Sequence, residues 1–198
     1  MTYDSLLALI GLAFTAAFTP GPNNALVASS GANFGYRSTL PHILGIALGF
    51  SFMVFMVGFF LGALFEKSQL VREILRWGGA ALLLYIAWKI AMSGGLSSGK
   101  NAARPFRFIE AAGFQWVNPK AWAMAIAIPA QFITGENQVL SALIVAAVFL
   151  IVGVSSASSW ALAGQALTRW INTADRLRWF NIAMGVMIAG CVVLIFLE

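Results

Sequence analysis

Two short polar stretches, each built around proline and asparagine, interrupt an otherwise apolar chain. The first is Thr19-Pro20-Gly21-Pro22-Asn23-Asn24 and the second is Gln115-Trp116-Val117-Asn118-Pro119-Lys120. Each proline removes an amide donor and its ring clashes with the preceding turn, so no helix runs unbroken through either stretch. In hydrocarbon such an opened backbone is tolerated only where protein buries it or where it lines a wet cavity.

A helix ending at a break exposes carbonyl oxygens with partial negative charge, and one beginning there exposes amides with partial positive charge. A zwitterionic amino acid needs both. Its carboxylate would sit on amides near Asn23, Asn24 or Asn118, the last as an N-cap with Pro119 at the first helical position. Its ammonium would meet the carbonyls around Phe18 and Thr19, helped by asparagine side-chain oxygens. The candidate substrate-binding residues are therefore Thr19, Pro20, Gly21, Pro22, Asn23, Asn24, Asn118, Pro119 and Lys120. The competing reading makes both stretches plain kinks satisfied by neighbouring helices. Lys120 either pairs with a substrate carboxylate or snorkels to the interface.

Five further residues are candidates for the same polar path, each with a structural alternative. His42 titrates near neutral pH but stands alone at the start of an apolar segment. Lys89, beside Trp88 and Tyr85, suits a snorkelling anchor in an aromatic belt. Gln115 opens the second break. Ser155 and Ser159, in a run with Ser156 and Ser158, either face the path or bond to their own helix and let helices pack closely.

The elements that must position these residues follow from composition. Of 198 residues 60% are apolar and 10% charged, against roughly 25% charged in a soluble domain, and the mean hydropathy is +0.85. Six apolar segments can be drawn, at about 3–18, 39–65, 71–93, 108–134, 139–163 and 177–197, most of them near the roughly 20 residues that a helix needs to cross about 30 Å of hydrocarbon. A soluble bundle would show an apolar stripe opposite a charged face, and residues 43–65 and 139–163 carry no charge on any face. The expected fold is all-α, a polytopic membrane helix bundle forming one transmembrane domain over 1–198, with helices broken at 19–24 and 118–120. Glycines at spacing four, Gly45 with Gly49 and Gly58 with Gly62, predict close helix contacts.

The halves share a plan. Repeat one (about 1–93) and repeat two (about 108–198), joined by a linker at 94–107, each begin with a proline-and-asparagine break and continue through two further spans. Three spans per half give the halves opposite orientations, the arrangement of transporters built from inverted repeats.

The net charge of +5 does not point to nucleic acid, because the basic residues sit in short connections and not in one patch. Arg37, Lys100, Arg104, Arg107, Arg169, Arg176 and Arg178 fall on one side of a six-span topology, and Lys67, Arg72 and Arg76 on the other. Seven against three makes the first side, with the linker, cytoplasmic. Both termini then face outward. Segment one is short for a span, so a five-span form with the N-terminus inside is the alternative; the C-terminus is outside in both. Residues 1–10 lack Lys and Arg and contain Asp4, unlike the basic start of a secretory signal, and read as the first helix of the mature protein.

One cysteine, Cys191, and one histidine offer neither a disulfide framework nor a metal site. No cofactor is expected, and no enzyme, since convergent titratable groups are missing. Asp4, Glu66, Glu73, Glu110, Glu136, Asp175 and Glu198 all lie at or near segment ends, which leaves proton coupling without an evident mid-membrane carboxylate.

Phe18-Thr19-Pro20-Gly21-Pro22-Asn23-Asn24 resembles the proline-glycine-proline-asparagine signature of the LysE/RhtB family of amino-acid exporters. The likeness extends to the glycine pair at Gly45 and Gly49, to Tyr85-Ile86-Ala87-Trp88-Lys89 and to Asn118-Pro119-Lys120-Ala121, and so covers essentially the whole chain. The doubled asparagine and Trp160-Ala161-Leu162-Ala163-Gly164 look most like the branch that exports cysteine and O-acetylserine. Many relatives carry an aspartate straight after the second glycine, where this chain has Phe50. The resemblance implies secondary active efflux of small neutral amino acids or their derivatives, threonine and homoserine among them, from the bacterial cytoplasm across the inner membrane by alternating access, with no ATP site. Its expected partners are the amino-acid substrate and the lipid bilayer, with a homodimer as an admitted state. Export of basic or branched amino acids, or a passive channel, are the alternatives.

Overall fold

The computed structural model of the chain describes residues 1–58, 68–92, 104–133, 137–168 and 174–195. The end of the second apolar segment with Gly62, residues 93–103 with Lys100, and Arg169 lie outside them. Every regular element in the described residues is helical.

Helix α1 (Tyr3–Phe18) starts where the Thr2 hydroxyl accepts the Ser5 amide, with Asp4 in its first turn, a charge that suits the positive helix end. It stops before Pro20. Helix α2 (Pro22–Phe34) begins with proline at its first position, and its axis is bent by 58° from that of α1. Gly35, at φ +80°, turns the chain into α3 (Tyr36–Met56), since only glycine takes that conformation without strain. Helix α4 (Gln69–Ala91) ends the described part of the first half.

The second half opens with a short α5 (Phe108–Phe114), whose Glu110 carboxylate accepts the Arg107 amide. A 3₁₀ turn at Gln115–Val117 follows, then α6 (Pro119–Phe132), α7 (Gln138–Thr168) and α8 (Ala174–Ile195). Both breaks therefore interrupt helices where the proline pattern demands it.

Helices α3, α7 and α8 are long and apolar enough to cross a membrane, and α1 with α2 qualify together as a broken span or a re-entrant loop. Helix α4, with Arg72, Glu73, Arg76 and Lys89 in its sequence, is not among them. Phe52, Ile151 and Val186 are more than half exposed, a surface that suits lipid and not water. The chain is a polytopic helical membrane protein.

The packing pairs exchange between halves. Helix α3 lies on α7 and α4 on α8; α1 meets α7 as α5 meets α3; α2 meets α7 as α6 meets α3; and α2 meets α8 as α6 meets α4. Small residues allow the closest of these contacts. A Cβ on Gly45 or Gly49 would fall 2.4 Å from the Phe108 carbonyl oxygen or 2.5 Å from Ala112 Cα, so the first glycine pair is the seat of α5 on α3. Gly31 and Gly164 do the same between α2 and α7, each facing a backbone carbonyl at 2.1 and 2.0 Å from a built Cβ.

Candidate functional site

The contact of α2 with α7 and that of α3 with α5 bring the two breaks against each other. The last carbonyls of α1 lack helical partners, and three side chains from three elements supply them. Asn24 Nδ2, in the first turn of α2, donates to the Ala17 and Thr19 oxygens, both at 2.9 Å. Ser156 Oγ on α7 donates to Ala17 at 2.8 Å. Lys120 Nζ on α6 donates to the Thr19 oxygen at 2.8 Å and reaches Pro20 at 3.5 Å. Protein donors thus already hold the carbonyls that a substrate ammonium would seek, and one of those donors is itself an ammonium.

A second tie joins the breaks side chain to side chain. Asn23 Nδ2 donates to Gln115 Oε1 at 2.8 Å, and Gln115 Nε2 donates back to Asn23 Oδ1 at 3.3 Å and to the Ala111 carbonyl at 2.9 Å. Gln115 is fully buried, so this reciprocal amide pair satisfies groups that would otherwise be costly. Asn118 caps α6: its Oδ1 accepts the Lys120 amide at 3.1 Å, with Pro119 next in the chain. Trp122 Nε1 donates to the Trp116 carbonyl at 2.9 Å and holds the 3₁₀ turn against α6.

Between the breaks lies a cavity of about 60 Å³ whose polar wall is Gly21, Asn23, Asn24, Asn118, Lys120 and Ser156. At 10–15 Å³ each it has room for roughly four to six water-sized spheres. Phe50 and Phe149, edge to face at 5.3 Å, with Ala47, Met124 and Gly153 make the apolar wall. Among the described residues Lys120 is the one ionisable side chain in the lining. Gly21 leaves α2 without a side-chain cap, so the Asn23 and Asn24 amides keep the partial positive charge that favours an anion.

The other candidates divide between this cavity and other places. Pro22 lines the cavity, Thr19 and Pro20 contribute carbonyls, and Pro119 faces α4, where a Cβ on Gly79 would be 3.4 Å from its Cδ. Ser155 and Ser159 are absent from the lining and bond to the Ile151 and Ser155 carbonyls of their own helix. Ser156, one residue along, is the serine that reaches the break. Its signal was its register with Phe149 and Gly153 on one helix face. His42 and Lys89 line a separate, larger cavity of about 820 Å³. Lys89 Nζ stands 5.3 Å over the Tyr85 ring. At that cavity's margin Arg104 pairs with Glu110 through two contacts of 2.5 and 2.7 Å. Buried polar links missed by the sequence reading, Ser29 and Asn33 with Asn181 at 3.3 and 3.0 Å, tie α2 to α8.

Residues 14–197 match the family described as LysE type translocator. The "Cysteine/O-acetylserine efflux protein" of Escherichia coli K12 is 30% identical over 197 residues, 99% of this chain and 100% of that protein. The protein of the same name from Shigella flexneri serotype 5b is 31% identical over 181 residues, 91% of each chain. No solved structure matches.

Proposed function

Because the chain belongs to the LysE type translocator family, we propose that it exports small neutral amino acids or their derivatives, of the cysteine and O-acetylserine kind, from the bacterial cytoplasm across the inner membrane. The substrate class is taken from the printed function of relatives similar along the whole chain. One observation carries the site. Two breaks about a hundred residues apart close on each other through the pair of Asn23 with Gln115 and the bond from Lys120 to Thr19, around a cavity with one polar and one apolar wall.

The chemistry is an exchange of partners. An entering zwitterion offers its carboxylate to Lys120 Nζ and to the α2 amides, and its ammonium takes the Thr19 carbonyl that Lys120 leaves. Each charge of the substrate thereby replaces or meets a charge already present, so neither is left unpaired in a low-dielectric site. A cationic amino acid would bring a second positive charge next to Lys120, with no carboxylate among the described lining residues to oppose it. Phe50, apolar and part of the wall, favours neutral substrates for the same reason.

The exchanged packing pairs support an inverted repeat, with α1 to α4 and α5 to α8 as equivalent halves. Rocking of one half against the other would open the cavity to each side in turn. Everted membrane vesicles containing the protein test this: labelled O-acetylserine should accumulate above its outside concentration when a proton gradient or a membrane potential is imposed. Simple equilibration would mean a channel, and no amino-acid movement of any kind would end the proposal.

A further inference from the structure

We propose that the cavity around His42 is a second amino-acid site, a staging site separated from the break cavity by the Asn23 and Gln115 amide pair. The inference rests on the export reading above and adds a site to it.

His42 is 1% exposed, and neither of its ring nitrogens has a hydrogen-bond partner among the described residues. Its ring stacks on Phe106 with centroids 5.1 Å apart, which fixes the plane of the imidazole but leaves the ring nitrogens unpaired. Buried polar side chains are nearly always hydrogen-bonded, and an exception needs an explanation. The ring lines the 820 Å³ cavity, a size in the range of ligand sites.

The same wall carries the groups that a zwitterion needs. Lys89 is a cation with an aromatic contact and no ion pair among the described residues, so it is available for a carboxylate. Arg104 and Glu110 are not, since each holds the other. A neutral imidazole has one donor and one acceptor nitrogen; both are covered here, and a turn of the ring toward the cavity would bring the acceptor to an ammonium or thiol proton. Ser29, Ser30 and Asn33 add small polar groups.

The two cavities share their partition. Asn23 and Asn24 face the break cavity while Leu26, Ser29 and Ser30, on the next turns of α2, face the His42 cavity. Phe114 and Val117 face the second and Asn118 the first, with Gln115 buried between them. Parting one amide pair therefore removes a side-chain tie between α2 and the 3₁₀ turn. The linker residues Arg104 and Pro105 on the rim put the staging site on the side that the arginine and lysine count makes cytoplasmic, where an exporter takes up its substrate.

His42 is the only histidine in the chain, so it can be watched without substitution. In full-length protein labelled with ¹⁵N-histidine and reconstituted in lipid nanodiscs, unlabelled L-cysteine or O-acetyl-L-serine should shift the single imidazole spectrum saturably. The shift should persist in Lys120→Met. Equilibrium dialysis with labelled O-acetylserine should find two sites per chain in the unaltered protein and one in either Lys120→Met or His42→Leu. An imidazole spectrum unmoved by ligand while dialysis finds one site overturns the staging site and spares the export reading. A shift that vanishes in Lys120→Met also overturns it, because the histidine then only senses the break cavity. No binding of either amino acid overturns both.

Discussion

Replacing Lys120 with Met removes the ammonium from the join between the breaks while keeping a side chain of similar length. The Thr19 oxygen would still hold Asn24 Nδ2 at 2.9 Å, so no buried carbonyl is orphaned. Lys120 is only partly buried, and we set the lost bond at about 1 kcal/mol, below the roughly 1.5–3 kcal/mol of a charged hydrogen bond shielded from water. For a chain of this length that corresponds to a fall in Tm of about 2–4 °C. Transport should suffer far more. If Lys120 meets the substrate carboxylate in a closed cavity, losing about 1.5–3 kcal/mol lowers kcat/KM for O-acetylserine by roughly 10- to 150-fold, at about 1.4 kcal/mol per factor of ten. Uptake into everted vesicles, corrected for the amount of protein inserted, reads this number, and differential scanning fluorimetry in detergent reads the Tm. Lys120→Arg, which keeps the charge, should lose less than the methionine variant. Wild-type kcat/KM in Lys120→Met, with the small Tm change, would refute the exchange of partners and leave Lys120 as a snorkelling clip.

Asn23→Ala should lower stability by about 1–3 kcal/mol, because the buried Gln115 amide loses its reciprocal partner. In a double-mutant cycle with Gln115→Ala, read by thermal unfolding, the two changes should couple by at least about 0.5 kcal/mol, and additive losses would mean that the pair is not a unit. Gly31→Ala places a Cβ about 2 Å from the Ala161 carbonyl oxygen, and the overpacking should cost about 1–3 kcal/mol or more, seen as a reduced yield of folded protein in membranes. Phe50→Ala should widen the break cavity and extend export to larger neutral amino acids such as methionine, at about 3–5 kcal/mol of stability; growth in toxic amino-acid concentrations would show the broadened range, and an unchanged range would remove Phe50 from the wall.

The sequence alone determined the class of the molecule and where its helices must open. Uncharged runs such as 139–163 exclude a water-covered surface, and Pro20, Pro22 and Pro119 cannot continue a helix, so the membrane bundle and the breaks observed at Thr19 to Gly21 and at Asn118 follow from local chemistry. Asn118 as a cap with Pro119 behind it was legible for the same reason. The glycine pair at 45 and 49 was legible too, though not that its partner would be α5.

Which groups meet depends on how the helices pack. Proline says that carbonyls are freed but not which donor arrives, and the donors on Thr19 come from Asn24, five residues on, and from Lys120, 101 residues on. Among adjacent serines, a 100° step per residue separates Ser156, which points at the break, from Ser155, which bonds to its own helix; composition cannot choose between them, because the choice belongs to the rotation of α7 against α1 and α2. Gln115 and His42 show the same limit. Both are polar residues in apolar surroundings, yet one is paired across the bundle and the other has ring nitrogens without a partner among the described residues. Only the packing of α2 and α3 against the second break makes that difference.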